Sequence, residues 1–233
     1  MPPQGIRALS RQVSDWLKGP SLESALADLA SIPPDKALKP LFSCLCSCDP
    51  EIKWRAVSAM GRTVAALADH EMEDARVVMR RFMWMLNDES GGIGWGVPEA
   101  MAEVLSCHAG LAGEYTHILV SFMREDGFYL ELEALQRGLI WGVARLAGAA
   151  PDLLRSKDAV RYLLPYLVTV DPTIQGLTCL ALGRLGDRQS LSYLPPFFED
   201  PRTLAIYQNG EFIETTVGEL ARQADALLIR VDD

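Results

Sequence analysis

Histidine is scarce in this 233-residue chain: only His70, His108 and His117 occur. That leaves little for histidine-based acid–base or nucleophilic chemistry, and no Ser/His/Asp or Cys/His arrangement stands out. Basic residues are also outnumbered, 22 Lys+Arg against 31 Asp+Glu, for a formal charge of −9. Broad nucleic-acid binding needs clustered cations to displace phosphate counterions, so it is not expected. No apolar run approaches the roughly 18 residues that suggest a membrane span. The opening MPPQGIRALSRQ has no apolar stretch behind its arginines, so no secretory signal is expected. Five cysteines form an odd set without disulfide-framework spacing, which fits a reducing compartment and a cytoplasmic location. Nothing in the sequence calls for a cofactor.

The negative charge is unevenly placed. Residues 82–136 hold nine carboxylates and a single base, Arg124, and residues 199–233 hold eight carboxylates and three bases. The rest of the chain is slightly basic.

An internal repeat near forty residues organises the chain. Asp49–Arg62, DPEIKWRAVSAMGR, and Asp171–Arg184, DPTIQGLTCLALGR, share six of fourteen positions at an offset of 122. Leu139–Ala147, LIWGVARLA, places Arg145 opposite Arg184, and Trp95–Ala102, WGVPEAMA, matches WRAVSAMG, so the copies are spaced by 41, 42 and 39. Asp-Pro supplies an N-cap acceptor and a first-turn proline whose missing N–H costs nothing. Apolar residues follow at helical spacing, as in Val57, Met60, Val64 and Leu67. The small pairs Ala59/Gly61 and Ala181/Gly183 permit close approach of a neighbouring helix. Lys36–Cys46, Asp74–Leu86, Gly113–Met123 and Ser156–Val168 supply the other helix of each pair, with Pro165 kinking or shortening the last.

These motifs resemble the HEAT-type α-solenoid family, including the short HEAT-like repeats of phycobilin lyases. The second copy departs from that pattern by a Gly-rich insertion where the cap belongs, and the third lacks Asp-Pro. The resemblance implies an all-α, right-handed α-solenoid of about four helix pairs over residues 33–198, with the second helix of each pair lining a concave face. Residues 1–32 are expected to be capping helices (Ile6–Leu17 and Leu22–Ala30). Residues 199–233 are expected to form a β-hairpin and helix cap: strands Thr203–Gln208 and Glu211–Thr215 flank Asn209-Gly210, and Thr216-x-x-Glu219 is a capping box.

The segment least like a repeat is NDESGGIGWGVPE, residues 87–99. Its glycines allow positive φ and close approach to a ligand, but its spacing fits neither a P-loop nor a dinucleotide fingerprint. It reads either as a contact loop built on Asp88, Glu89, Gly91, Gly92 and Trp95, or as a long turn with Trp95 in the slot of Trp54. On the solenoid model Trp54, Arg55, Glu99, Glu103, Glu131, Glu133, Arg137 and Gln175 share one groove, acidic in the middle with basic flanks. Trp141 lies on an apolar helix face and is expected in the core.

Cys44-x-Cys46-x-Cys48 would put Cys44 and Cys48 on one face of a helix and Cys46 opposite, so three thiolates would not converge. Buried, apolar cysteines and no metal site are expected. His70-Glu71 is a single His-Glu pair, where the iron-binding HEAT-type deoxyhypusine hydroxylases repeat such pairs. HEAT-like alkylpurine DNA glycosylases need a basic groove.

The leading expectation is a non-enzymatic scaffold that binds a protein or peptide with a basic segment, using Trp54, Arg55, Asp88, Glu89, Gly91, Gly92, Trp95, Glu99, Glu131, Glu133 and Arg137. The alternative implied by the family is a lyase-like or cofactor-handling solenoid, with Arg137 or Arg55 meeting the carboxylates of a tetrapyrrole or other small molecule. A third is a structural oligomer joined through Leu204, Ile206 and Phe212 of the hairpin.

Overall fold

A computed structural model describes residues 6–87 and 93–229. Within it the chain divides into two compact units, residues 1–111 and 112–233.

Unit 1 opens with α1 (Ile6–Leu17) and α2 (Leu22–Ala30), at the bounds expected from sequence. They are followed by α3 (Pro34–Leu45), α4 (Pro50–His70), α5 (Met72–Asn87) and α6 (Val97–Cys107). Helix α4 is the centre of the unit and packs against α3, α5 and α6, with α1 and α2 also resting on it. It starts as its sequence dictates: the Asp49 carboxylate accepts from the backbone N–H of Glu51 at 3.0 Å, and Pro50 opens the first turn. Ala56, Met60 and Val64 are fully enclosed on its inner face. Gly61 sits on the seam with α6, where an added Cβ would lie 2.6 Å from Glu103 Cγ. Phe42 of α3 and Phe82 of α5 complete the core with ring centroids 5.3 Å apart.

Helix α7 (Ala109–Ser121) runs across the division between the units. Unit 2 then contains α8 (Glu133–Ala149), α9 (Pro151–Arg155), α10 (Ala159–Leu163) and α11 (Pro172–Leu185). The single helix read from Ser156 to Val168 is broken. Asp158 adopts φ 55°, α10 follows for five residues, and the backbone tightens to a 3-10 turn at Leu164–Val168 around Pro165. Proline removes an intrahelical donor and clashes one turn back, so the shortening expected there occurs.

Helix α11 is apolar nearly all round and is enclosed on every side, by α8, α9, α10 and the C-terminal elements. Two 3-10 turns, Arg188–Tyr193 and Pro195–Phe197, lead to β1 (Thr203–Gln208), β2 (Glu211–Thr216) and α12 (Val217–Ile229). The hairpin pairs Gln208 with Glu211 and Thr203 with Thr216, and Asn209 and Gly210 take φ of 52° and 90°. That is the left-handed pair a two-residue hairpin turn demands. The capping box also forms: Glu219 N–H donates to Thr216 Oγ1 at 3.1 Å, and Thr216 N–H donates to Glu219 Oε2 at 2.9 Å. Gly183 of α11 meets α12 so closely that a Cβ there would lie 2.4 Å from Ala224 Cα. Trp141 is buried as expected, its indole N–H donating to Tyr207 O at 2.9 Å. Leu204 and Ile206 are buried inside the unit, Leu204 against Gly176. Of the three hairpin residues expected to face another chain, Phe212 alone is exposed.

Candidate functional site

In unit 1, two residues expected to meet a partner are instead enclosed. Arg55 retains 6% exposure, and its guanidinium donates to Leu17 O at 3.0 Å and Gly19 O at 2.6 Å while pairing with Glu51. It thereby satisfies the Leu17 carbonyl at the end of α1, which has no intrahelical partner, and the Gly19 carbonyl just beyond it. A ligand carboxylate has no access to it. Glu99 retains 2% exposure; Oε1 accepts from Lys53 Nζ at 2.7 Å, and Oε2 is buried without a hydrogen-bond partner. Glu103 is likewise buried, on the Gly61 seam. Glycine at that seam brings α4 and α6 together, and side chains on the facing sides are covered. The carboxylates of α6 are thus interior groups of unit 1.

Trp54 is half-buried, with Lys53 Nζ 5.4 Å from its ring. Trp95 does not share its setting. It precedes α6 in a turn and is 41% exposed, next to Ile93 at 45%. Gly96 then caps α6 at φ 72°, with its backbone against Leu45 O and the Lys53 side chain. A Cβ at Gly96 would lie 2.8 Å from Leu45 O, so glycine is required there for both conformation and space. Asp88, Glu89, Gly91 and Gly92 lie outside the described residues.

In unit 2, Glu131, Glu133 and Arg137 lie at the start of α8 and are all exposed. Arg137 Nη2 donates to Glu133 Oε1 at 3.0 Å, one turn back, and Nε donates to Asp171 Oδ2 at 2.5 Å. Asp171 is the N-cap of α11, accepting from Thr173 N–H at 2.7 Å and Ile174 N–H at 3.0 Å. Burial alone would raise its pKa. Hydrogen bonding with Glu133 and the Ile174 N–H, together with the Arg137 guanidinium, overcomes this and holds it below the usual carboxylate range. Gln175, placed in the groove by the sequence pattern, is buried; its amide donates to Leu167 O at 2.6 Å and its carbonyl accepts from Arg202.

Arg137 therefore ties the entry to α8 to the entry to α11. Large apolar side chains in the segments leading into α8 and α11 are also open to solvent. Phe128 is 55% exposed, Leu132 41%, Val168 85% and Val170 88%, with Tyr129 also open. Gln136 fixes the loop by donating to Tyr129 Oη and Leu130 O, both at 2.8 Å. The signal was present as Phe-Tyr-Leu and Leu132 inside the run Glu125–Glu133, and as Val168-Thr-Val before the Asp171 cap.

Among the described residues, no three His, Cys, Asp or Glu side chains are grouped as a metal site, and no helix is long and apolar enough to cross a membrane. Cys44 and Cys179 are buried as expected, and desolvation pushes their thiols up to about 11 and about 12. Cys46 and Cys48 are exposed, contrary to expectation, because α3 ends at Leu45.

No protein-family model matches the chain, and no curated protein matches it. Solved structures do. A crystal structure of an engineered protein is 16% identical, with a TM-score of 0.55 and coverage of 94% of this chain and 97% of that one. Computationally designed armadillo repeat proteins for modular peptide recognition are 16% identical at a TM-score of 0.51, covering 94% and 98%. A designed armadillo repeat protein in complex with the peptide (KR)4 is 15% identical at a TM-score of 0.53, covering 93% and 98%. The fold is therefore that of an armadillo-type helical-repeat α-solenoid with a small two-stranded sheet near its C-terminal end.

Proposed function

We propose that this chain is a non-enzymatic repeat scaffold that holds a protein or peptide carrying a basic segment. The observation that carries the reading is the pair of segments leading into α8 and α11, tied by the Arg137–Asp171 contact, in which Phe128, Leu132, Val168 and Val170 are exposed, as are Glu131 and Glu133. Isolated exposed apolar residues are ordinary on any surface, whereas several of them flanked by carboxylates match a particular ligand chemistry. Lys and Arg side chains lay apolar methylenes on such a surface and bring their cationic ends to the acids. The exposed carboxylates Glu125, Glu131 and Glu133 of unit 2 add electrostatic steering. The complex of a structurally similar designed protein with (KR)4 supports the same class of partner. In unit 1, Trp95 is exposed and is a separate candidate contact of that unit.

A fluorescent octapeptide of alternating Lys and Arg, titrated and read by anisotropy, tests this reading. Glu131→Lys combined with Leu132→Ser is expected to weaken binding at least about tenfold, since it removes a complementary charge and an apolar anchor together. Binding by the unaltered protein is also expected to weaken as salt rises. Equal affinity of the two proteins, or no binding by either, overturns the reading.

A further inference from the structure

The turn between α3 and α4 carries a second site of a different kind. Its sequence is Leu45-Cys-Ser-Cys-Asp49, and helix α3 stops at Leu45. Cys46 takes φ −90° and ψ 9° as the C-cap, Ser47 N–H closes a final turn on Cys44 O at 3.0 Å, and Ser47 Oγ accepts from Asp49 N–H at 3.1 Å. The consequence is a division among the three cysteines that helical periodicity could not supply. Cys44 remains in the core, 7% exposed, its thiol raised to about 11 by desolvation. Cys46 and Cys48 both reach solvent as free thiols. Two residues of chain separate their Cα atoms by at most about 7 Å. Cys46 is held only by a weak S–H contact to Phe42 O at 3.9 Å, and its thiol can leave that contact at little cost.

The geometry points to Cys46 and Cys48 as a two-coordinate site for a soft monovalent cation, Cu(I). The number of donors decides the class of metal. Zinc takes four ligands in structural sites and at least three from protein in catalytic ones. Among the described residues nothing groups a third His, Cys, Asp or Glu with these two thiols. Cys44, the nearest sulfur in sequence, is enclosed in the core. Two thiolates alone suit a soft ion and leave a hard or tetrahedral one undercoordinated. Binding exchanges two S–H bonds for two S–Cu bonds and releases two protons to water. Copper stays Cu(I), so no oxidant or reductant takes part. Because protons leave, metal affinity falls as the solution is acidified. The site belongs to the α3–α4 turn of unit 1 and is independent of the peptide reading placed on unit 2.

Anaerobic titration of the reduced protein with Cu(I), against a chromophoric Cu(I) chelator, tests it. One Cu(I) per chain is expected, with two alkylatable thiols protected on loading. Cys46→Ser and Cys48→Ser are each expected to weaken binding by at least about 100-fold, because one thiolate remains. Cys107→Ser is expected to leave affinity and stoichiometry unchanged, and circular dichroism checks that each variant is folded. Cu(I) retention by the Cys46→Ser/Cys48→Ser double variant equal to that of the unaltered chain overturns the assignment. So does displacement of Cu(I) by an equal concentration of Zn(II), or loss of thiols to a disulfide with no metal retained.

Discussion

Helix α4 of unit 1 and helix α11 of unit 2 carry the same motif and end in different surroundings. Each begins with Asp-Pro, and each places a glycine twelve positions after that Asp, Gly61 and Gly183. At α4 the Asp49 cap faces solvent, and Gly61 meets a flexible side-chain carbon of Glu103. At α11 the Asp171 cap is 4% exposed and bound by Arg137, and Gly183 meets the backbone of α12. The motif specifies a capped helix that a neighbour approaches closely. It does not specify the neighbour. In unit 2 that neighbour is α12, which belongs to the C-terminal cap and carries no copy of the repeat.

The largest expected effect sits at the glycines. Gly183→Ala puts a methyl 2.4 Å from Ala224 Cα, so α12 must shift, and a loss of about 3 kcal/mol is expected. Gly61→Ala displaces chiefly Glu103 Cγ and is expected to cost about 1 kcal/mol. Urea unfolding of both variants measures the difference, and equal losses would break the comparison.

The caps come next. Asp171→Ala removes the acceptor for two backbone N–H groups and the partner of Arg137, for an expected loss of about 2 kcal/mol. Asp49→Ala removes an exposed cap alone and is expected to cost about 1 kcal/mol in the same assay.

Acid sharpens this contrast. The native pKa of Asp171 lies below its unfolded value, so its ionised form adds stability that is complete above about pH 4 and is lost as pH falls through the native pKa. Urea midpoints of the unaltered chain and Asp171→Asn should therefore differ most at neutral pH and converge as pH is taken below about 4. A gap that stays constant to low pH would show that the charge of Asp171 is not what distinguishes it.

The smallest effect is expected at the cap itself. Thr216→Ala removes one side of the capping box and is expected to cost about 0.5–1 kcal/mol, less than Gly183→Ala although both act on α12.

Much of this architecture was legible locally. Asp-Pro caps, the Asn209-Gly210 turn, the Thr216/Glu219 box and the break near Pro165 depend on contacts within a few residues, so spacing alone reveals them. The helical-repeat class followed from the forty-residue period. The candidate site was less legible. Glu131, Glu133 and Arg137 were placed in the expected groove by the helix-pair model and are exposed. Arg55, Glu99 and Gln175 were placed in the same groove by the helix-pair model and are enclosed. Phe128, Leu132, Val168 and Val170 were not singled out by the sequence pattern and are open to solvent. Burial of a given side chain depends on which element lies across from it, and that is a long-range property.

The sequence by itself therefore determined the helices, their caps, the hairpin and the demand for close helix contacts at Gly61 and Gly183. These are set by short-range hydrogen bonds, by φ preferences and by the absence of a Cβ. Only the tertiary structure decided that α12 fills the contact at Gly183, that Asp171 joins Arg137, and that Cys46 and Cys48 face solvent while Cys44 does not. Each of those outcomes depends on where packing ends a helix or brings distant segments together, and no local spacing encodes it.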